Sequence, residues 1–241
     1  MKTPSIIKGT IALALLVIAS IAVLQISMAL PQGATMSFNS SGSAATTNPV
    51  ELNDSGGTIT ILKLATTQQD SAWKGYVGNV SGLLTLDDAL GNTIYNWQLA
   101  AVSGHVFASR SSSVIWSNIN CSNQSHVDTE QSALSFASSD SDSINRTFNS
   151  TNHQAFLVAA RNMSSCRFTP TYVNDSFQAQ TPSSLFQEVL LSDGSNFVYS
   201  TDIESTSPNG FDQEHRHFQL IVPQSKTTVV PTGYYFYIEL S

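Results

Sequence analysis

Charge is scarce in this chain: only 11% of its 241 residues are Asp, Glu, Lys or Arg, and no two cations stand side by side. Against 17 Asp and Glu, the 10 Lys and Arg leave a net charge of -7. The clustered cations that a phosphate backbone demands are missing, which excludes a nucleic-acid partner. The acidic excess is dispersed rather than blocked, so it serves solubility and forms no acidic tail. Cysteine is almost absent too, and two thiols are too few for a soft-ligand metal cluster. There is no G-x-S-x-G elbow. The glycines of GYVGNVSG, at 75, 78 and 82, lack the dinucleotide-binding spacing and no helix is expected to follow them. No catalytic residue, metal centre or cofactor is expected on these grounds, and the chain reads as a non-enzyme.

What replaces charge is hydroxyl and amide. Ser and Thr together number 59. The sequon N-x-[ST] occurs nine times, at Asn39, Asn53, Asn79, Asn120, Asn123, Asn145, Asn149, Asn162 and Asn174. About four would arise by chance from 16 Asn at this Ser/Thr frequency, so the excess points to a glycosylated, exported chain. Four of the nine fall between Asn120 and Asn149, a Ser-rich stretch expected to be an exposed loop. Cys121 and Cys166 make an even count in an exported protein, which favours a disulfide between them.

Export itself is read from the N-terminus. Lys2 and Lys8 precede an apolar run from Ile11 to Leu24, and the next cation is Lys63. The positive-inside bias keeps the N-terminus cytoplasmic and sends everything beyond Pro31 outside, to the cell surface or medium. Three fates of residues 1–30 stay open. As a secretory signal the segment ends at Ser27-Met28-Ala29, with cleavage before Leu30. As a retained membrane anchor, residues 10–30 in a helix span roughly 31 Å, enough for a hydrocarbon core. As a third fate, Lys8-Gly9 directly before the apolar run resembles the processing site of archaeal type IV pilins and archaellins. That resemblance implies cleavage after Gly9, a new N-terminus at Thr10, and self-association of residues 10–30 as the core of a filament. Ala14 stands where many bacterial pilins carry glutamate, and Pro31 stops the helix.

Residues 31–57 are poor in large apolar groups and dense in Ser, Gly, Asn and Pro, the composition of a flexible tether. From Thr58 the character changes. TITILKLA puts Ile59 and Ile61 on one face and then shifts phase to Leu62 and Leu64, a strand with a bulge or with apolar cover on both faces. GLLTLDDALGNTIYNWQL reads as a hairpin turning through Asp87, Asp88, Gly91 and Asn92. Further strands are expected at 104–109, 113–117, 155–160, 185–191, 196–201, 215–222 and 233–240, the last aromatic and central. No long amphipathic helix is expected after residue 30. Short strands at regular spacing with Gly, Asn, Ser and Pro between them predict an all-β fold, an antiparallel β-sandwich of Ig-like or jelly-roll type over residues 58–241. A boundary between two smaller units near 130–150 is the alternative.

Several blocks in this order carry a resemblance: WKGYVGNVSGLLTLDDALGNTIYNWQL, VFASR, Trp116 to Cys121, INRTFN, FQEVLLSDGSNFVYST, GFD, FQLIVP and YYFYIEL. Together they resemble a family of exported proteins found largely in archaeal genomes. The resemblance implies a secreted or surface-bound domain and brings no activity with it. EHRHFQL departs from that pattern in its two histidines.

Three kinds of side chain remain that could carry chemistry: imidazoles, paired acidic residues and tryptophans. On a strand, His215 and His217 would share a face and offer two imidazoles to a metal, with Glu214 or Asp212 adding oxygen. Asp87-Asp88 with Asn92, Asp140 with Asp142, and Asp193 with Asn196 could offer oxygens to Ca²⁺, but turn-forming Asx residues explain each more simply. Trp73, Trp97 and Trp116 are either core or a sugar-stacking platform. The expectation is a structural or adhesive surface glycoprotein, possible partners being the membrane, glycans and further copies of itself; a carbohydrate-binding module and a secreted hydrolase follow as alternatives.

Overall fold

GHVFAS, QEVLLS and FVYSTD are buried almost without interruption, so their side chains meet cover on both faces of a sheet rather than on one. The computed structural model describes residues 30–241 other than Thr47, Gln98 and Ala100, and those residues are mostly antiparallel β. Gly9, Thr10 and Ala29, and with them the expected apolar helix, lie outside the described residues. In chain order the strands are β1 (Gln32–Gly33), β2 (Trp73–Gly78), β3 (Leu84–Asp87), β4 (Thr93–Trp97), β5 (Gly104–Ser109), β6 (Asn120–Cys121) and β7 (Phe156–Val158). They continue with β8 (Arg161–Met163), β9 (Phe168–Pro170), β10 (Gln187–Ser192), β11 (Phe197–Asp202), β12 (Phe218–Pro223) and β13 (Tyr235–Leu240). Two helices, α1 (Gln124–Ala133) and α2 (Ile144–Thr147), interrupt the series.

The main sheet has seven strands in the order β1-β13-β5-β11-β10-β6, with β9 also paired to β10. On one face Phe107, Val189, Leu191, Val198 and Tyr237 pack with Ile119, Met163 and Phe168. On the other, Ala108, Leu190 and Tyr199 pack with Leu220 and Val222 of the β2–β12 ladder and with Val127, Ile144 and Phe148 of the helical segment. Gly104 is required where β5 opens: its φ is +125°, and a Cβ there would lie 1.9 Å from the Glu239 carbonyl oxygen.

The hairpin expected over 83–99 forms as β3–β4, and the strands expected near 104, 187, 197, 218 and 235 are found. β13 is flanked as expected, by β5 along its length and by β1 at Ile238 and Tyr237. Three expectations fail. Thr58–Leu64 forms no strand, and the four large apolar side chains of the segment are exposed. Residues 113–117 turn into a 3₁₀ helix at Trp116–Asn118 instead of a strand. The Ser-rich stretch is no simple exposed loop: α1 buries Val127, Glu130 and Gln131 against the same core that holds Ile144 and Phe148. Its pattern was hidden because Val127 is the one large apolar residue in QSHVDTEQSA; the legible signal was the cap, where the Asn123 side chain accepts from the His126 N–H and the His126 ring accepts from the Asn123 N–H.

Candidate functional site

The hairpin is the part of this fold whose chemistry is not used up by packing. Its turn is organised by Asp88, which accepts from the N–H groups of Leu90 and Asn92 through one oxygen and from the Asn92 amide through the other. Gly91 supplies the positive φ of +83° that the turn needs. The Asn92 side chain, helped by these backbone donors, holds the Asp88 carboxyl below the usual range; hydrogen bonds from Thr93 and Thr85 do the same for Asp87. Both are anions at neutral pH, and they are the only charges between Asn79 and Trp97.

The ladder pairs Leu84 with Trp97 and Leu86 with Tyr95, which places four apolar side chains on one face. Leu84 is half-buried; Leu86, Tyr95 and Trp97 are exposed, and Ile94 projects into solvent from the opposite face. Tyr95 and Trp97 meet edge to face, centroids 5.1 Å apart and planes at 68°. No third strand pairs with either arm among the described residues. An isolated two-stranded hairpin is marginal in water, and this one exposes more apolar side chain than its own pairing can cover. A second apolar stretch, Thr58–Leu64, is equally uncovered: Ile59 and Ile61 are 96% and 94% exposed.

The residues singled out by sequence fall as follows. Cys121 and Cys166 are joined in a disulfide, Cα atoms 4.9 Å apart, which ties β6 to the loop before β9. Eight sequon asparagines are exposed: Asn39, Asn53, Asn79, Asn120, Asn123, Asn149, Asn162 and Asn174. Asn145 is half-buried and its Oδ1 is enclosed without a partner among the described residues. None of the nine lies between residues 80 and 119, so the hairpin carries no sequon. Leu30, the first described residue, is exposed, and Pro31 after it is buried.

The histidines do not act together. His215 and His217 precede β12 rather than sharing a strand face; the His215 ring bonds the Ser207 carbonyl, and His217 Nδ1 sits 3.0 Å from the backbone N and O of Val80. The acidic clusters are likewise engaged within the protein. Asp193 accepts from the N–H groups of Ile115, Ser195 and Asn196, while Asp140 and Asp142 both hold the Lys226 ammonium, at 2.8 and 2.7 Å. Among the described residues, no group of three His, Cys, Asp or Glu converges as metal ligands do. Trp73 packs against Phe136 and Phe148, and Trp116 against Phe107 and Tyr237, leaving Trp97 as the exposed tryptophan.

Sequence reasoning missed a set of buried polar groups. Across three adjacent strands, Glu239, His105 and Asp202 stand in one row, with His105 Nε2 3.2 Å from Asp202 Oδ1. Among the described residues, His105 Nδ1 is buried without a partner. No hydroxyl or thiol is bonded to this ring among the described residues, so the couple lacks the nucleophile arm of a triad. The Arg110 guanidinium grips Glu130 of α1 with both arms, at 2.9 and 2.5 Å. Alternating strand patterns hide such residues because burial on both faces makes every position an inside position. Comparison of the chain with family models, with curated proteins and with solved structures gave no match.

Proposed function

We propose that the protein is a non-enzymatic structural or adhesive glycoprotein of the cell surface, exported behind residues 1–30 and self-associating through exposed β-structure. The observation that carries this reading is the apolar face of Leu84, Leu86, Tyr95 and Trp97, on a hairpin that carries no sequon and stands out from a surface otherwise rich in hydroxyls. Glycans on the body would hydrate it and discourage unspecific contact, while the hairpin stays accessible. On this reading the seven-stranded sheet and the β2–β12 ladder over it form a β-sandwich of Ig-like or jelly-roll type. The sharpest version is a pilin-like subunit of the archaeal kind, with residues 10–30 buried in a shared helical core and the sandwich displayed outside.

A carbohydrate-binding module is the second reading, favoured only by the pair Tyr95 and Trp97. Their planes are nearly perpendicular, however, and a sugar face stacks best on rings that lie flat. The two readings separate in one experiment. The mature protein, isolated from native surface fractions, is followed by sedimentation and electron microscopy beside a Tyr95→Asp/Trp97→Asp variant. Assemblies in the wild type that disperse in the variant are the expected result. A monodisperse wild type whose glycan-array binding vanishes in the variant would instead establish the carbohydrate reading, and turnover abolished by one Ser, His or Asp substitution would establish the hydrolase.

A further inference from the structure

Thr58–Leu64 and β4 carry the same apolar pattern in opposite directions. Read forward, the segment is apolar at Ile59, Ile61 and Leu62; read backward, β4 is apolar at Trp97, Tyr95 and Ile94. Each is therefore an alternating strand that shifts phase once, at corresponding places. Laid antiparallel along the outer edge of β4 with Ile59 opposite Trp97, the segment sets Ile61 against Tyr95 and Leu62 against Ile94. Thr60 then faces Asn96, and Lys63 faces Thr93. A slip of one residue leaves a single apolar pair, Ile61 with Ile94 or Leu62 with Tyr95, because successive side chains point to opposite faces.

Charge agrees with this register. Lys63 is the only charged residue from Thr58 to Ala65, and the hairpin carries only Asp87 and Asp88. Thr93, the residue facing Lys63, is paired in the hairpin with Asp87, so the cation arrives one strand away from the anion. The backbone groups on the outer edge of β4 have no strand partner among the described residues, and the segment has no ladder of its own.

We infer that Thr58–Leu64 of one copy of this chain adds as a third strand to β4 of a second copy, a step that rests on the self-association proposed above. The placement of donor and acceptor favours two copies over one. The donor enters β2 at Trp73, whereas the hairpin leaves it after Gly78, roughly 20 Å away at about 3.3 Å per residue. To reach its own hairpin, the chain would have to double back along β2 within residues 65–72, which extend to roughly 26 Å at about 3.3 Å per residue. Two different surfaces of one molecule that complement each other make a heterologous contact, which can repeat head to tail and extend. Main-chain hydrogen bonds supply the affinity of such strand addition, and the alternating side chains supply its register.

Two differently tagged full chains, Ile61→Cys and Tyr95→Cys, test the contact when purified in detergent, mixed and oxidised. Both positions are exposed, so neither substitution disturbs the core. A mixed disulfide dimer is expected, and replacing the second variant by Asn96→Cys, on the other face of β4, should lose it. Adding Lys63→Glu to the first chain should lower the yield several-fold, and Asp87→Lys in the second should restore it. Association without any mixed dimer overturns strand addition while leaving self-association standing. So does closure of the Ile61→Cys/Tyr95→Cys double variant within a single chain while its assemblies persist. A wild-type chain that never associates overturns both.

Discussion

Glu188 on β10 stands directly across the ladder from Thr201 on β11, and each presents a buried oxygen without a partner among the described residues, Glu188 Oε1 and Thr201 Oγ1. Cross-strand partners share a face, so the two belong to one enclosed polar spot among Leu190, Tyr199 and Leu220. The other carboxyl oxygen of Glu188 accepts from the Ile221 N–H at 2.7 Å. Burial pushes the Glu188 carboxyl well above its ordinary value of 4.5, and the Ile221 hydrogen bond offsets only part of that.

The sign of the consequence follows. A carboxyl whose folded pKa is raised leaves stability intact below the unfolded value and erodes it as pH rises through the folded pKa. Folding stability should therefore fall from about pH 4.5 upward, by at most about 1.4 kcal/mol per pH unit for this group. Glu188→Gln should flatten the slope and raise stability at neutral pH, read from urea midpoints across that range. Glu204 and Glu239, raised by burial in the same direction, leave a residual slope in the variant. An unchanged profile would mean Glu188 is ionised in the folded protein.

The disulfide between Cys121 and Cys166 closes a loop of 45 residues that contains both helices and β7–β8. Chain entropy puts its contribution at about 4 kcal/mol. The Cys121→Ser/Cys166→Ser variant should melt well below the wild type, and reductant should lower the Tm of the wild type while leaving the variant where it is.

Gly104→Ala places a Cβ 1.9 Å from the Glu239 carbonyl oxygen at a φ of +125°. β5 and β13 cannot both keep their register around it. A loss of about 3 kcal/mol is expected from chemical denaturation. Gly33→Ala, with open space around it, is the matched control and should change little.

The tryptophans should divide by location. Trp116→Ala opens the cluster around Phe107 and Tyr237 and should cost about 3 kcal/mol or more. Trp97→Ala removes a side chain that faces solvent, so its effect on the unfolding midpoint should stay within about 1 kcal/mol. Its effect belongs to association, measured by sedimentation.

What could be read from residues alone was whatever depends on near neighbours in sequence. Asp88, Gly91 and Asn92 make a turn wherever they occur between two apolar arms, and β3–β4 forms where that pattern stands. The strands near 104, 187, 197, 218 and 235 were legible from β-branched and aromatic runs. The pairing of Cys121 with Cys166 was legible as an even cysteine count in a chain read as exported. Thr58–Leu64 shows the limit of this reasoning: its composition is that of a strand, but a strand needs an edge to bond to, and no edge within the described chain takes it. α1 shows the converse, because one valine and a good cap suffice for a helix when Phe148 and Leu190 stand ready to cover it. Tertiary structure alone decided which faces meet. It buried Glu188, His105 and Glu239 in a sheet covered on both sides, took Trp73 and Trp116 inward, and left Trp97 in solvent. Burial is set by residues distant in sequence that converge in space, and local pattern carries no record of them.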